Sequence, residues 1–142
     1  MNLAILKTFR EIKEYFQYRD FSVCSFDTET TGLGYYTLSM IGCSFCNGED
    51  AVYIDIYSSD NREGSINFIS GLFQNHIKSF IMHNAPFDLK VLHKEGITEV
   101  TDKIFCTMTA AHLIDENRSK GLKDLAKRYL KEKPLDYSEA IV

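Results

Sequence analysis

Apolar positions recur along the chain with two periods, and the places where the period changes locate the elements. Leu6, Phe9, Ile12 and Phe16 return at helical spacing, which predicts an amphipathic helix over residues 4–18. Short apolar runs rich in β-branched and aromatic residues follow. They predict strands over 22–28, 38–46 and 51–56, with Asn47-Gly48-Glu49-Asp50 as a hairpin turn between the last two. The polar run 58–64 is a loop. Ser65 is placed to cap a helix through about residue 75, with Ile66, Ile69, Leu72 and Phe73 inward. A strand over 79–83 leads into a helix over 86–95 that Gly96 ends. A short strand near 103–106, a helix over 107–115, a polar loop and a helix over 121–131 complete the pattern, and Pro134 separates that last helix from the tail. The pattern alone defines a mixed α/β chain, with a strand meander first and alternating helices and strands after it.

Composition narrows the class. A chain of 142 residues with ordinary hydrophobic (44%) and charged (25%) fractions has enough apolar surface for one cored domain. No run of 18 apolar residues is present, so no membrane partner is expected, and no secretory leader pattern opens the chain. The net charge of −4 argues against a protein that coats nucleic acid with a basic face. It does not argue against a nuclease, whose acidic pocket meets phosphate through metal ions. Cys43 and Cys46 have the two-residue gap of a redox or zinc pair, but they fall on one strand and should face opposite ways. With no second pair to complete a zinc site, the four cysteines read as reduced residues of a cytoplasmic protein.

The candidate chemistry lies where strand 22–28 ends, in Phe26-Asp27-Thr28-Glu29-Thr30-Thr31-Gly32-Leu33. Alternation points Asp27 and Glu29 the same way and Thr28 the other way. Two neighbouring carboxylates repel unless water or a cation compensates them, and oxygen donors suit magnesium or manganese. Gly32 and Gly34 are expected to turn the chain sharply beside the pair. A second segment, His83-Asn84-Ala85-Pro86-Phe87-Asp88, follows the strand 79–83. Asn84 is placed as a helix cap and Asp88 in the first helical turn. Strand ends and helix starts gather on one rim of such a sheet, so Asp27, Glu29 and Asp88 are expected to converge there.

These residues carry a resemblance. Phe26 to Thr30 resembles the first motif of the DnaQ-like 3′→5′ exonucleases, which use four acidic residues, and His83-Asn84 through Asp88 resembles the second motif, about sixty residues on. Thr107 to Ile114 and Gly121 to Ala126, with Tyr129-Leu130, are similar to the helices of the proofreading domain of family A DNA polymerases. The resemblance implies a ribonuclease H-like mixed sheet flanked by helices. It implies a two-metal site for Mg2+ or Mn2+, in which Asp27 bridges, Glu29 serves the ion on the nucleophile's side and Asp88 holds the other through water. It also implies contact with the terminal nucleotide by the Thr28 backbone, an apolar wedge at Leu33 and strand contact at Asn84.

The third motif of that family, Tyr-x-x-x-Asp, is not found. Asp102, Asp115, Asp124 and Asp136 follow Thr98, Ala111, Lys120 and Glu132 by four residues. The resemblance therefore implies one exonuclease domain over 1–142, incomplete at its C-terminus and impaired alone. A separate polypeptide would carry the missing motif and a polymerase domain. The expected activity is proofreading-type hydrolysis of single-stranded DNA 3′ ends, releasing 5′-mononucleotides. An RNA-trimming exonuclease like ribonuclease D and an inactive interaction module of the same fold are the alternatives.

Overall fold

Side-chain alternation along one central strand separates the layers of this protein. The computed structural model describes residues 1–135; the rest of the tail, including Asp136 and Tyr137, lies outside the described residues. The elements are β1 (Asn2–Leu6), α1 (Phe9–Gln17), β2 (Val23–Thr30), β3 (Met40–Cys46), β4 (Asp50–Asp55) and α2 (Arg62–Gly71), which runs on as a wider turn over Leu72–His76. They continue with β5 (Ser79–Met82), α3 (Ala85–Lys94), β6 (Ile104–Cys106), α4 (Thr107–Ile114) and α5 (Leu122–Leu125), which widens over Ala126–Leu130.

The six strands form one sheet in the order β1-β4-β3-β2-β5-β6. The meander β2-β3-β4 is antiparallel, whereas β5 and β6 are parallel to β2 and β1 is parallel to β4. This is the ribonuclease H-like mixed sheet that the motifs imply, with β1 added at an edge.

The expected helix over 4–18 is corrected to a strand followed by a helix. Leu6 stands three residues before Phe9 and so shares the helical spacing, yet it ends β1, which pairs with β4 from Asn2↔Asp50 to Leu6↔Ile54. Thr8 divides the two elements. Its hydroxyl accepts from the Glu11 N–H at 3.2 Å, and the Glu11 carboxylate accepts from the Thr8 N–H at 2.9 Å, a reciprocal cap that starts α1. Asn61, not Ser65, caps α2, by accepting from the Gly64 N–H at 2.9 Å; Ser65 is buried inside the helix. In the hairpin before β4, the Asn47 side chain accepts from the Glu49 and Asp50 N–H groups, and Gly48 takes φ +97°. A left-handed residue there is what this turn needs.

α1, α2 and α3 lie against one face of the sheet, whereas α4 and α5 bury no residue. Cys24, Phe26 and Thr28 of β2 point into that layer with Cys43 and Phe45, Val52 and Ile54, and Phe80 and Met82, all buried. Phe16 of α1 meets Phe45 edge-on at 5.4 Å, and Phe73 stacks on Phe80 at 4.3 Å while touching Phe26 at 5.1 Å. The opposite face is open, with Leu3, Ile5, Val23 and Phe105 exposed. Arg62 ties the layers at one end. It pairs with Glu95 at 2.7 Å and donates to the Met40 carbonyl, while Glu95 accepts from the Met40 N–H. The C-terminal stripe is uncovered: Leu122 and Tyr129 are exposed.

Phe73 has no exposed surface and joins three other rings. Phe73→Ala should therefore cost about 3–5 kcal/mol, read as a lower urea midpoint with the slope unchanged.

Candidate active site

The register of the central strands builds the site. β2 runs parallel to β5 with Ser25 beside Ile81, so Asp27 and the residue two beyond Ile81, His83, come level at the same rim. On its other side β2 is antiparallel to β3, with Asp27↔Ser44 and Glu29↔Gly42. Asp27 and Glu29 emerge together on the open face, as alternation demands, and both remain accessible to solvent.

Thr28 points the other way and is buried, 7% exposed. There it meets Asp88, which is 2% exposed in the first turn of α3. Asp88 Oδ1 accepts from the Thr28 N–H at 3.0 Å and from the Thr28 hydroxyl at 2.6 Å. Thr28 thus joins the strand that carries the acidic pair to the helix that carries the third carboxylate.

All three carboxyls are pushed above their ordinary range. Partial burial raises Asp27, against the opposing pull of His83. Burial and the neighbouring Asp27 raise Glu29. Burial pushes Asp88 up to about 6, in spite of the Thr28 bonds, and the charge of Asp27 adds to the rise. Among the described residues no cation pairs with any of the three. Acidic groups held against repulsion, with only the pull of His83 on Asp27 to oppose it, are donors suited to a hard divalent ion.

The expected convergence of three carboxylates on shared ions is corrected in part. Among the described residues no three acidic, histidine or cysteine side chains gather closely enough to form a metal cluster. Asp88 stands at the right rim, but its Oδ1 is committed to Thr28. Asp27 and Glu29 would be the direct donors to an ion, and Asp88 would reach it through water, as the resemblance implies.

The flanking residues depart further from expectation. The Thr28 N–H donates to Asp88. Asn84 is left-handed, φ 60°, and its side chain makes no cap bond to α3; among the described residues the exposed amide has no hydrogen-bond partner. Gly32 and Gly34 are not left-handed; Gly96, at φ +85°, is, and it ends α3. Leu33 is 85% exposed and packs into no core. Its loop is held from α3: Lys94 Nζ donates to the Tyr36 and Leu38 carbonyls, and the Tyr35 hydroxyl contacts His93 Nδ1 at 3.2 Å. These anchors were not read from the sequence, because Lys94 and His93 look like any basic end of a helix.

His83 also gains a partner. Its Nδ1 lies 2.9 Å from the Thr107 hydroxyl, which donates to the Met82 carbonyl. Cys106 precedes that threonine, and hydrogen bonds around the start of α4 bring its thiol down to about 7 against the effect of burial.

Comparison with known proteins places this geometry. Residues 5–142 match the family described as 3′-5′ exonuclease, and the chain belongs to that family. DNA polymerase I of Borreliella burgdorferi is 36% identical over 121 residues, 82% of this chain and 13% of the polymerase. The chain thus spans about an eighth of that relative.

Among solved structures, Brucella melitensis NrnC with bound Mg2+ superposes with a TM-score of 0.72 at 22% identity, over 100% of this chain and 69% of NrnC. NrnC bound to pGG gives 0.72 at 21% identity, over 96% and 64%. Escherichia coli RNase D, an exoribonuclease involved in structured RNA processing, gives 0.71 at 19% identity, over 100% and 36%. These likenesses establish the fold. They also overturn the expected partner, a single-stranded DNA 3′ end, since the substrate named among them is RNA.

The Asp88 carboxyl gives a pH test. Its folded pKa of about 6 lies above the ordinary range, so folding favours its protonated form. That contribution is complete below about pH 4 and is lost as pH rises through about 6. Asp88→Asn keeps an acceptor for Thr28 without the charge. It should stabilise the metal-free protein at pH 8 by up to about 3 kcal/mol and change little at pH 4, as measured by denaturant melts at both values.

Proposed function

We propose that this chain is a metal-dependent exonuclease that shortens RNA from the 3′ end one nucleotide at a time. The observation that carries the reading is the rim itself. Asp27 and Glu29 share the open face, and Asp88 is fixed behind them on Thr28. In this reading Asp27 and Glu29 hold the divalent ions directly and Asp88 acts through water. When bound, a pair of ions stabilises the attacking and the leaving oxygens of the phosphodiester. NrnC, solved with bound Mg2+, supports the metal.

The remaining residues of the rim orient the strand. Leu33, held out on a loop braced by Lys94, offers an apolar edge to the last base. Such stacking tolerates every base, so sequence preference is slight. The uncapped Asn84 offers an amide to the backbone of the strand. RNA as substrate is supported by the exoribonuclease RNase D on the same fold. The likeness to DNA polymerase I makes DNA the control that matters.

The test uses 5′-labelled RNA and DNA strands of one sequence, with Mg2+ or Mn2+ added. The expected outcome is a ladder of single-nucleotide steps on RNA, with DNA cut more slowly. Asp27→Asn should lower the rate by more than the roughly 10–100-fold typical of residues that only support a metal ligand. Faster cutting of DNA, internal fragments or trimming from the 5′ end would each refute the proposal.

A further inference from the structure

Glycine 42 has a function that the turn chemistry of the chain does not explain. It lies inside β3, where glycine weakens a strand and marks a close approach by another group. The approaching group is Tyr53. A Cβ at Gly42 would stand 2.0 Å from the Tyr53 Oη, 2.4 Å from its Cζ and 2.8 Å from its Cε2. The phenol of Tyr53, on β4, therefore lies flat across β3 with its hydroxyl in the space of the missing side chain.

The register decides what that hydroxyl faces. Tyr53 pairs with Ser44, two residues from Gly42, and Gly42 itself pairs with Glu29 of β2. Side-chain positions directly opposite one another are about 4.5–5.5 Å apart. The Tyr53 Oη, 2.0 Å from where a Gly42 Cβ would be, thus lies beside the position directly opposite Glu29, within reach of the carboxylate by rotation of the glutamate. Among the described residues the Tyr53 hydroxyl and the Glu29 carboxylate hydrogen-bond neither to each other nor to any other protein group, so both are open for the pairing that a rotation of the glutamate would make. Burial acts most on the phenol, followed by the charge of Asp55, which pairs with Gly42 from the other side and is already bonded to the Ser58 N–H, and then by the charge of Glu29.

We propose that Tyr53 is a positioning residue whose phenol donates to the Glu29 carboxylate and aims it at a divalent ion, with Gly42 as the seat that lets the ring cross the strand. This rests on the reading of Glu29 as a cation ligand. A carboxylate ligand on a flexible stem binds better when its second oxygen is held, and loss of such a support costs about 10–100-fold in metal affinity. Serine or alanine at position 42 would close the seat, and phenylalanine at 53 would fill it without the donor.

Manganese alone is the probe, titrated into the full chain and followed by its electron paramagnetic resonance. Tyr53→Phe should raise the dissociation constant about 10–100-fold with the melting temperature unchanged, because the ring stays on Gly42. In a Glu29→Gln background the same change should add nothing. Gly42→Ala, if it folds, should match Tyr53→Phe. A Tyr53→Phe affinity within twofold of the starting protein, or full additivity with Glu29→Gln, would overturn the role of Tyr53 while leaving the cation site standing. If the unaltered chain takes up no manganese, the cation reading of the rim fails instead. A metal-free crystal structure then decides for Tyr53: its hydroxyl bonded to Glu29 directly or through one water supports the pairing, and a phenol turned off Gly42 ends it.

Discussion

The pair of hydrogen bonds from Thr28 to Asp88 is the contact on which the site depends. Both end on one carboxylate oxygen that is almost wholly removed from water. A buried carboxylate held by its neighbours tolerates little displacement, because an unpaired charge in that place costs several kcal/mol. α3 is consequently fixed to the centre of the sheet and not merely packed on it. The level of α3 sets where Asn84 begins the helix and where Lys94 and His93 reach the loop of Leu33. The acidic pair is fixed from the other side, because β2 is the one strand bonded to both the antiparallel meander and the parallel half.

This arrangement holds electrostatic strain near the rim. Asp27, Glu29 and Asp88 are each harder to ionise than a free carboxyl, and Asp27 contributes to the rise of both others. The hydrophobic layer opposes that strain. Rings from α1, β2, β3, the wide turn after α2, and β5 interlock beneath the strands that carry the acids. Apolar burial and acidic repulsion are thus borne by the same strands on opposite faces.

The sequence showed the acidic pair because strict alternation in β2 is short-range: Asp27 and Glu29 two apart, with Cys24, Phe26 and Thr28 between and behind them. It showed Asp88 because a helix start after a strand is also local. It did not show the link between them, since alternation says only that Thr28 turns away from the acids and not which residue, sixty positions on, it meets there. The N-terminal strand was hidden because Leu6 fits a helical spacing that continues from Phe9. The signal that separates them is the Thr8 and Glu11 pair, whose spacing is that of a reciprocal helix cap. Tyr53 and Gly42 could not be seen from spacing at all. Their meeting depends on the register of β3 against β4, which puts Ser44 beside Tyr53, and on a ring lying across a strand, which no linear pattern encodes.

The attachment of β1 has a consequence for how the molecule comes apart. Among the described residues that strand pairs with β4 alone, so its amides are held by one neighbour and by little of the aromatic layer. Local opening follows such gradients of contact, from the least supported segment inward. Solvent protons should enter first at β1 and the single-neighbour edge at β6, and last at β2, where the carboxylates stand. The protein can therefore fray at both ends of its sheet on the timescale of amide exchange while the middle strand keeps its geometry.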